Sequence, residues 1–219
     1  AQVQLHLVEM MEAKKSGAGH RKYKLCRRIL GNPVVEEDTY CRELKDGKPH
    51  GDGERNDAGE REGVGVMVYP DGNMYEGQWR AGKPEGVGTV HFATGERYVG
   101  QWVAGVMQGQ GMFHFAGGDR YEGEYVAGRK QGQGTEHFAS GGKYEGEWVA
   151  GNKEGKGTYH YADGEVEVGR YKAGANVGEG AKWSADRATA ARMRGCQPVE
   201  MISLVEASRI AERVGLPVP

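Results

Sequence analysis

The chain has 219 residues, 38 of them Gly, and a formal net charge of −2. That length fits one or two ordinary domains, and the charge excludes a global pull toward nucleic acid or an anionic membrane. No apolar run approaches the ~18 residues that a membrane-spanning helix requires. In chain order, residues 1–39 read as a mixed N-terminal arm. Val3, Leu5, Leu7, Val8, Met10 and Met11 form a short apolar segment whose alternation favours a strand at its start. Lys14, Lys15, Arg21, Lys22, Lys24, Arg27 and Arg28 follow; against Glu9 and Glu12 that is seven basic residues minus two acidic, or +5. Such a patch either docks on its own fold as a solvated arm or meets anionic lipid or an acidic partner. Cys26, Cys41 and Cys196 are scattered and form no C-x-x-C pair, which reads as reduced thiols in an intracellular compartment.

From Tyr40 the chain becomes periodic. Tyr40, Leu44, Gly47, Gly51 and Gly53 form a worn unit, and residues 54–62 are polar and loop-like. Between residues 75 and 166 the pattern is regular. Tyr75, Tyr98, Tyr121 and Tyr144 stand 23 residues apart, each with Gly at +2, +7, +11 and +13 and an aromatic at +4. The aromatics are Trp79, Trp102, Tyr125 and Trp148. A fixed period of this length is the mark of a solenoid or array. Each unit reads as a β-hairpin. The Tyr-Glu-Gly-Glu-Trp arm alternates with period two, Gly at +7 supplies turn conformations, and links such as Ala162-Asp163-Gly164-Glu165 are turn signals. There is no Leu or Ile from Tyr75 to Val166, so the apolar mass is rings and Val. Tyr, Gly(+2) and the aromatic share one face, which Val90/Phe92, Phe113/Phe115, Phe138 and Tyr159/Tyr161 join from the second arm. Gly(+2) leaves a slot for a ring, and stacked aromatics replace an aliphatic core. After Val166 a fifth unit carries Glu167 in its tyrosine slot but keeps Gly169, Tyr171, Gly174, Gly178 and Gly180.

The C-terminal segment, residues 184–219, changes texture. Ser184 reads as an N-cap for a helix over 185–194 stopped by Gly195, and Pro198 opens a second helix to about Val214. Its apolar stripe includes Val199, Ile202, Val205, Ala207, Ile210 and Val214, and either caps the sheet's end or docks a partner.

The phrase Tyr-Glu-Gly-Glu-Trp-x-x-Gly-x-x-x-Gly-x-Gly, as in Tyr144 to Gly157, resembles the membrane occupation and recognition nexus (MORN) repeat. The resemblance spans roughly residues 40–183. It implies a mainly β fold: an elongated, twisted, single-layer antiparallel sheet of stacked hairpins, here with C-terminal α-helices. At the usual strand spacing, about a dozen strands extend on the order of 60 Å. It also implies scaffolding of membranes, cytoskeletal or ciliary structures and multi-subunit complexes. The flanks are too short for the catalytic domains that accompany such repeats in larger relatives.

Three surfaces are candidates. The first is an aromatic groove of Tyr75, Trp79, Tyr98, Trp102, Tyr121, Tyr125, Tyr144 and Trp148, either open to a partner's helix or extended segment or closed by its own packing. The second is a polar face carrying His91, His114, His137 and His160 among Glu122, Glu124, Glu145 and Glu147. Successive imidazoles fall roughly 10 Å apart across two strands. A zinc ion needs its donors at ~2.0–2.1 Å, so this face reads as a solvated surface or an acid-sensitive partner surface rather than a metal site. The third is the basic arm, from Lys14 to Arg28. Gly-x-Gly phrases here precede no Gly-Lys-Ser/Thr, so they are not phosphate loops, and no Ser-His-Asp or Cys-His constellation is marked. From Tyr75 to Val166 nine basic residues stand against twelve acidic ones, a balance of −3 that disfavours nucleic acid. The expectation is a non-catalytic scaffold subunit with no cofactor, metal or small-molecule substrate, in an intracellular cytoskeletal, ciliary or organellar assembly. The alternatives are a peripheral membrane tether using the arm on anionic lipid, and an accessory subunit of a separate catalytic chain.

Overall fold

A computed structural model describes residues 53–219. The basic arm, Cys26, Cys41 and the worn unit from Tyr40 through Leu44 to Gly51 lie outside the described residues. The chain divides into two compact units, residues 1–105 and 106–219.

In the first unit five strands follow one another: β1 (Gly53–Arg55), β2 (Arg61–Val68), β3 (Met74–Arg80), β4 (Lys83–His91) and β5 (Arg97–Val103). Each pairs antiparallel with the next. The polar 54–62 stretch is the β1–β2 hairpin, in which Asn56 N–H donates to the Glu60 carbonyl at 2.9 Å. In the second unit the meander continues with β6 (Val106–His114), β7 (Arg120–Val126), β8 (Arg129–His137), β9 (Lys143–Val149) and β10 (Asn152–His160). It ends with β11 (Val166–Lys172), β12 (Ala175–Trp183), β13 (Ala190–Arg194) and β14 (Gln197–Ile202), again each antiparallel to the next. One helix follows, α1 (Leu204–Val214).

Three local devices recur along the array. The turn at +6/+7 is two residues long with both backbones left-handed, as in Ala150 (φ 50) and Gly151 (φ 92). That is the hairpin geometry whose twist matches right-twisted strands. The sequence marked the glycine; the alanine beside it has the same conformation despite its Cβ. The alanine N–H is anchored to a Glu or Gln side chain of the preceding unit, as from Ala104 to Glu85 at 2.9 Å and from Ala127 to Gln108 at 3.1 Å. The second device is a bulge at the +11 glycine, where φ is positive (Gly86 67°, Gly155 63°). The side chain at +3 fills it: Gln78 accepts from Val87 N–H at 2.8 Å and Glu147 from Lys156 N–H at 3.3 Å. The third is the tyrosine slot. The Tyr121 ring lies over Gly123 and Gly134, which are register partners, and no side chain fits there.

The C-terminal segment departs from the sequence reading. Residues 185–194 are not a helix. Ser184 O–H donates to Asp186 and its oxygen accepts from Thr189 N–H, closing a tight turn, and Arg187 adopts a left-handed φ of 61°. Residues 190–194 then pair with β12, whose open edge outweighs the helix propensity of an Ala/Arg stretch. Residues 197–202 are a strand as well, so the helix begins at Leu204 instead of Pro198, with Ser203 as N-cap accepting from Glu206 N–H at 3.2 Å. Ala207, Ile210, Ala211 and Val214 of α1 pack on Val168, Ala181, Trp183 and Ala190. The helix therefore covers a face of β11–β13, and β14 is the edge.

Candidate functional site

Of the two arrangements open to the eight rings of the candidate groove, the structure has the self-packed one, and they form the core of the array. Tyr75, Tyr98, Tyr121 and Tyr144 are 0% exposed; Trp79, Trp102, Tyr125 and Trp148 are also buried. Each tyrosine donates its hydroxyl to the carbonyl three residues on, from Tyr75 to Gln78 at 3.0 Å and from Tyr98 to Gln101 at 3.1 Å. Trp102 Nε1–H reaches back to the Gly88 carbonyl at 3.2 Å, and Trp148 to that of Gly134. Tyr75 meets Trp79 and Trp102 edge-on, at 4.9 and 5.3 Å between centroids. Tyr121 does the same with Tyr125 and Trp148 at 5.4 and 5.1 Å. These rings close on one another because glycine on both paired strands lets each tyrosine sink to the backbone. Burial holds all four phenols well above their ordinary pKa.

What this face offers to solvent in the second unit is the next layer. Register places Phe113 opposite Tyr121, and Glu136 and Tyr159 opposite Tyr144. Phe113, Phe115, Phe138, Tyr159 and Tyr161 are half-buried. Phe113 and Phe115 lie 4.6 Å apart, Phe138 stacks on Tyr159 at 5.5 Å, and Tyr159 and Tyr161 lie 4.6 Å apart. Lysines sit over these rings. The Lys130 ammonium is 5.0 Å from the Phe115 centroid, and that of Lys153 is 4.7 Å from Phe138. Glu136 accepts from Lys130 and lies 3.4 Å from Lys153. Lys153 is lowered from its usual pKa, chiefly by burial, with Glu136 opposing. Sequence reasoning missed Lys130, Glu136 and Lys153. Phase was the available signal, since Glu136 occupies the slot of Phe113 and Tyr159 and so belongs on the aromatic face. In the fifth unit Glu167 sits buried in the tyrosine slot and accepts hydrogen bonds from Tyr161 O–H, at 2.6 Å, and from the Asn176 amide.

The opposite face carries the histidines. His160 Nε2 is 2.9 Å from Glu145, and Lys143 donates to the same carboxylate at 2.9 Å. His160 and His137 are both held below the ordinary imidazole pKa, first by burial and then by neighbouring cations. Glu147 is drawn into the bulge described above, and Glu122 is exposed. Among the described residues no group of His, Cys, Asp and Glu could hold a metal ion, and no helix is long and apolar enough to cross a membrane.

A meander of repeating hairpins with ring-filled slots defines a β-hairpin repeat protein. The MORN repeat profile matches residues 57–74, 75–97, 98–120, 121–143 and 144–166, half of the chain, and the chain belongs to that family. No curated protein matches it. Among solved structures, the TCP domain of SAS-4 (dCPAP) of Drosophila melanogaster, bound to a proline-rich motif of Ana2, aligns at TM-score 0.37 and 17% identity, covering 58% of this chain and 68% of that one. The TCP10 domain of Danio rerio CPAP, bound to a STIL peptide, aligns at TM-score 0.37 and 11% identity, covering 65% and 68%. At those scores neither alignment carries an argument about this chain.

Proposed function

We propose that the protein is a non-catalytic scaffold subunit whose aromatic face receives a helix or extended segment of a partner protein. The observation that supports this is the half-buried rings of the second unit, Phe113 with Phe115 and Phe138 with Tyr159 and Tyr161, with the Lys130 and Lys153 ammonium groups over Phe115 and Phe138. Rings held rigid by a buried layer beneath them lose little entropy on binding, and aromatic anchors dominate interface energies. Within the second unit the buried Tyr121, Tyr125, Tyr144 and Trp148 support these rings. Membership of the MORN family is in keeping with an organising role in a cytoskeletal, ciliary or organellar assembly. On this reading catalysis, where the assembly has one, belongs to another chain.

The test is the native mass of the endogenous protein in a gentle lysate, with crosslinking, beside a Phe115→Ala/Phe138→Ala/Tyr161→Ala variant checked for unchanged circular dichroism. A discrete particle well above 23.8 kDa, crosslinked at this face and lost in the variant, is the expected result. A free monomer without consistent neighbours overturns the proposal. The +5 arm favours a second reading, a tether on anionic lipid. Sedimentation with phosphatidylserine liposomes that is abolished by salt and by removal of residues 1–30 would support it.

A further inference from the structure

The first unit buries side chains on both of its faces, although a single-layer sheet has only one packed face of its own. Register aligns Val66, Glu76, Thr89 and Val99 in one row on the face opposite the tyrosines, and Val68, Met74 and His91 in the next. Within the single chain Val68, Met74, Glu76, Thr89 and Val99 are 2–6% exposed. The same positions later in the array provide a like-for-like comparison. Thr135 and Thr158 occupy the Thr89 position and are half-buried, while Glu122 occupies the Glu76 position and is exposed. Composition changes in step. At the positions of Val87 and Val99 the later units carry Gln110, Gln133 and Lys156, and Glu122 and Glu145. Apolar residues return on this face at Val168, Ala181 and Trp183, where α1 covers it.

We infer that the chain's own N-terminal segment, residues 1–52, covers the back face of β2–β5 as α1 covers that of β11–β13. Among the described residues α1 packs on β11, β12 and β13, and the elements in substantial contact with β2, β3 and β4 are their sheet neighbours. The segment enters the fold at Gly53, one short strand from β2, so its tether is short. It also holds the right side chains. There is no Leu or Ile between Leu44 and Ile202; aliphatic covers therefore come only from the flanks. The C-terminal flank spends Ile210 and Val214 this way, and the N-terminal flank has Leu5, Leu7, Leu25, Ile29 and Leu30. On the second unit, α1 leaves the polar stretch of this face around Glu122, His137 and Glu145 uncovered.

The test uses the full chain with Cys26, Cys41 and Cys196 changed to Ser. Maleimide labelling of Thr89→Cys is expected to be at least about tenfold slower than that of Thr135→Cys, as local protection requires. Gln101→Cys, exposed on the rim of the same face, carries a benzophenone in an equal mixture of isotopically light and heavy protein. Crosslinks from it into residues 1–52 of the same molecule support the proposal. Light–heavy crosslinks, which mean a second copy, or crosslinks confined to residues 53–219, overturn it. Carboxyl footprinting of the unsubstituted chain gives an independent reading in case Thr89→Cys does not fold. Glu76 should be protected relative to Glu122, and equal modification of the two overturns the inference.

Discussion

The smallest unit of this fold is one tyrosine ring laid over two paired glycines. A Cβ on Gly134 would stand 2.6 Å from Cε2 of Tyr121, and one on Gly157 within 2.5 Å of a ring carbon of Tyr144. Gly134→Ala is therefore expected to cost about 1–3 kcal/mol, since the buried ring has nowhere to retreat. Gly117→Ala is the control. Nothing lies within 4 Å of its Cβ position, and loss of unfolded-chain freedom makes it neutral or stabilising by up to about 1 kcal/mol where its backbone suits alanine. Urea midpoints of the two variants check this, and equal midpoints would remove the slot from the account. The same slots set the response to alkali. Burial raises the folded pKa of Tyr75, Tyr98, Tyr121 and Tyr144 above the ordinary phenol value of about 10, so the folded state keeps protons that the unfolded state releases. Their contribution is fully present below about pH 10 and is lost as pH rises beyond it. Tyrosinate absorbance at these four sites should thus appear together with loss of the β circular-dichroism signal. Titration with the sheet intact would show the phenols to be accessible.

At the scale of the element, period and composition carry most of the information. Alternation in Tyr144–Trp148 and Gly157–Tyr161, punctuated by glycine, specifies hairpins, and the phase of Phe113 and Tyr159 places them on the tyrosine face; register agrees on both counts. Depth was not legible. Whether a ring is floor or surface depends on which glycines oppose it across a strand pair, and cross-strand register is not written in a single unit. The left-handed alanines, such as Ala127 at φ 50°, were hidden because alanine signals no turn; the two-residue turn requires the conformation and the hydrogen bond from its N–H to Gln108 holds it. The 185–194 stretch shows the opposite error. Its Ala and Arg residues favour helix locally, but Ala190–Arg194 is adjacent to an unpaired edge of β12, and a five-residue ladder satisfies both. Local propensity is a weak prior beside an open edge. The candidate site followed the same division: which face was legible, and which side chains on it reach solvent was not.

At the scale of the whole molecule, stability in a stacked array is a sum over units and their neighbours rather than the property of one core. The second unit has one departure from that rule. Ile210, 0% exposed, belongs to α1 but packs against Val168, Ala181 and Trp183, so one helix ties several strands together. Truncating it to alanine should cost about 2–5 kcal/mol in that region. The location of the loss is more informative than its size. If units are coupled only to their neighbours, amide hydrogen exchange in Ile210→Ala should accelerate in β11–β13 and fall off over the adjoining strands, with β7 and β8 near their original rates. Equal acceleration from β6 to β14 would instead show that these strands open as one cooperative body. In that case the aromatic face above β7–β10 would owe its rigidity to the helix as well as to its own buried tyrosines.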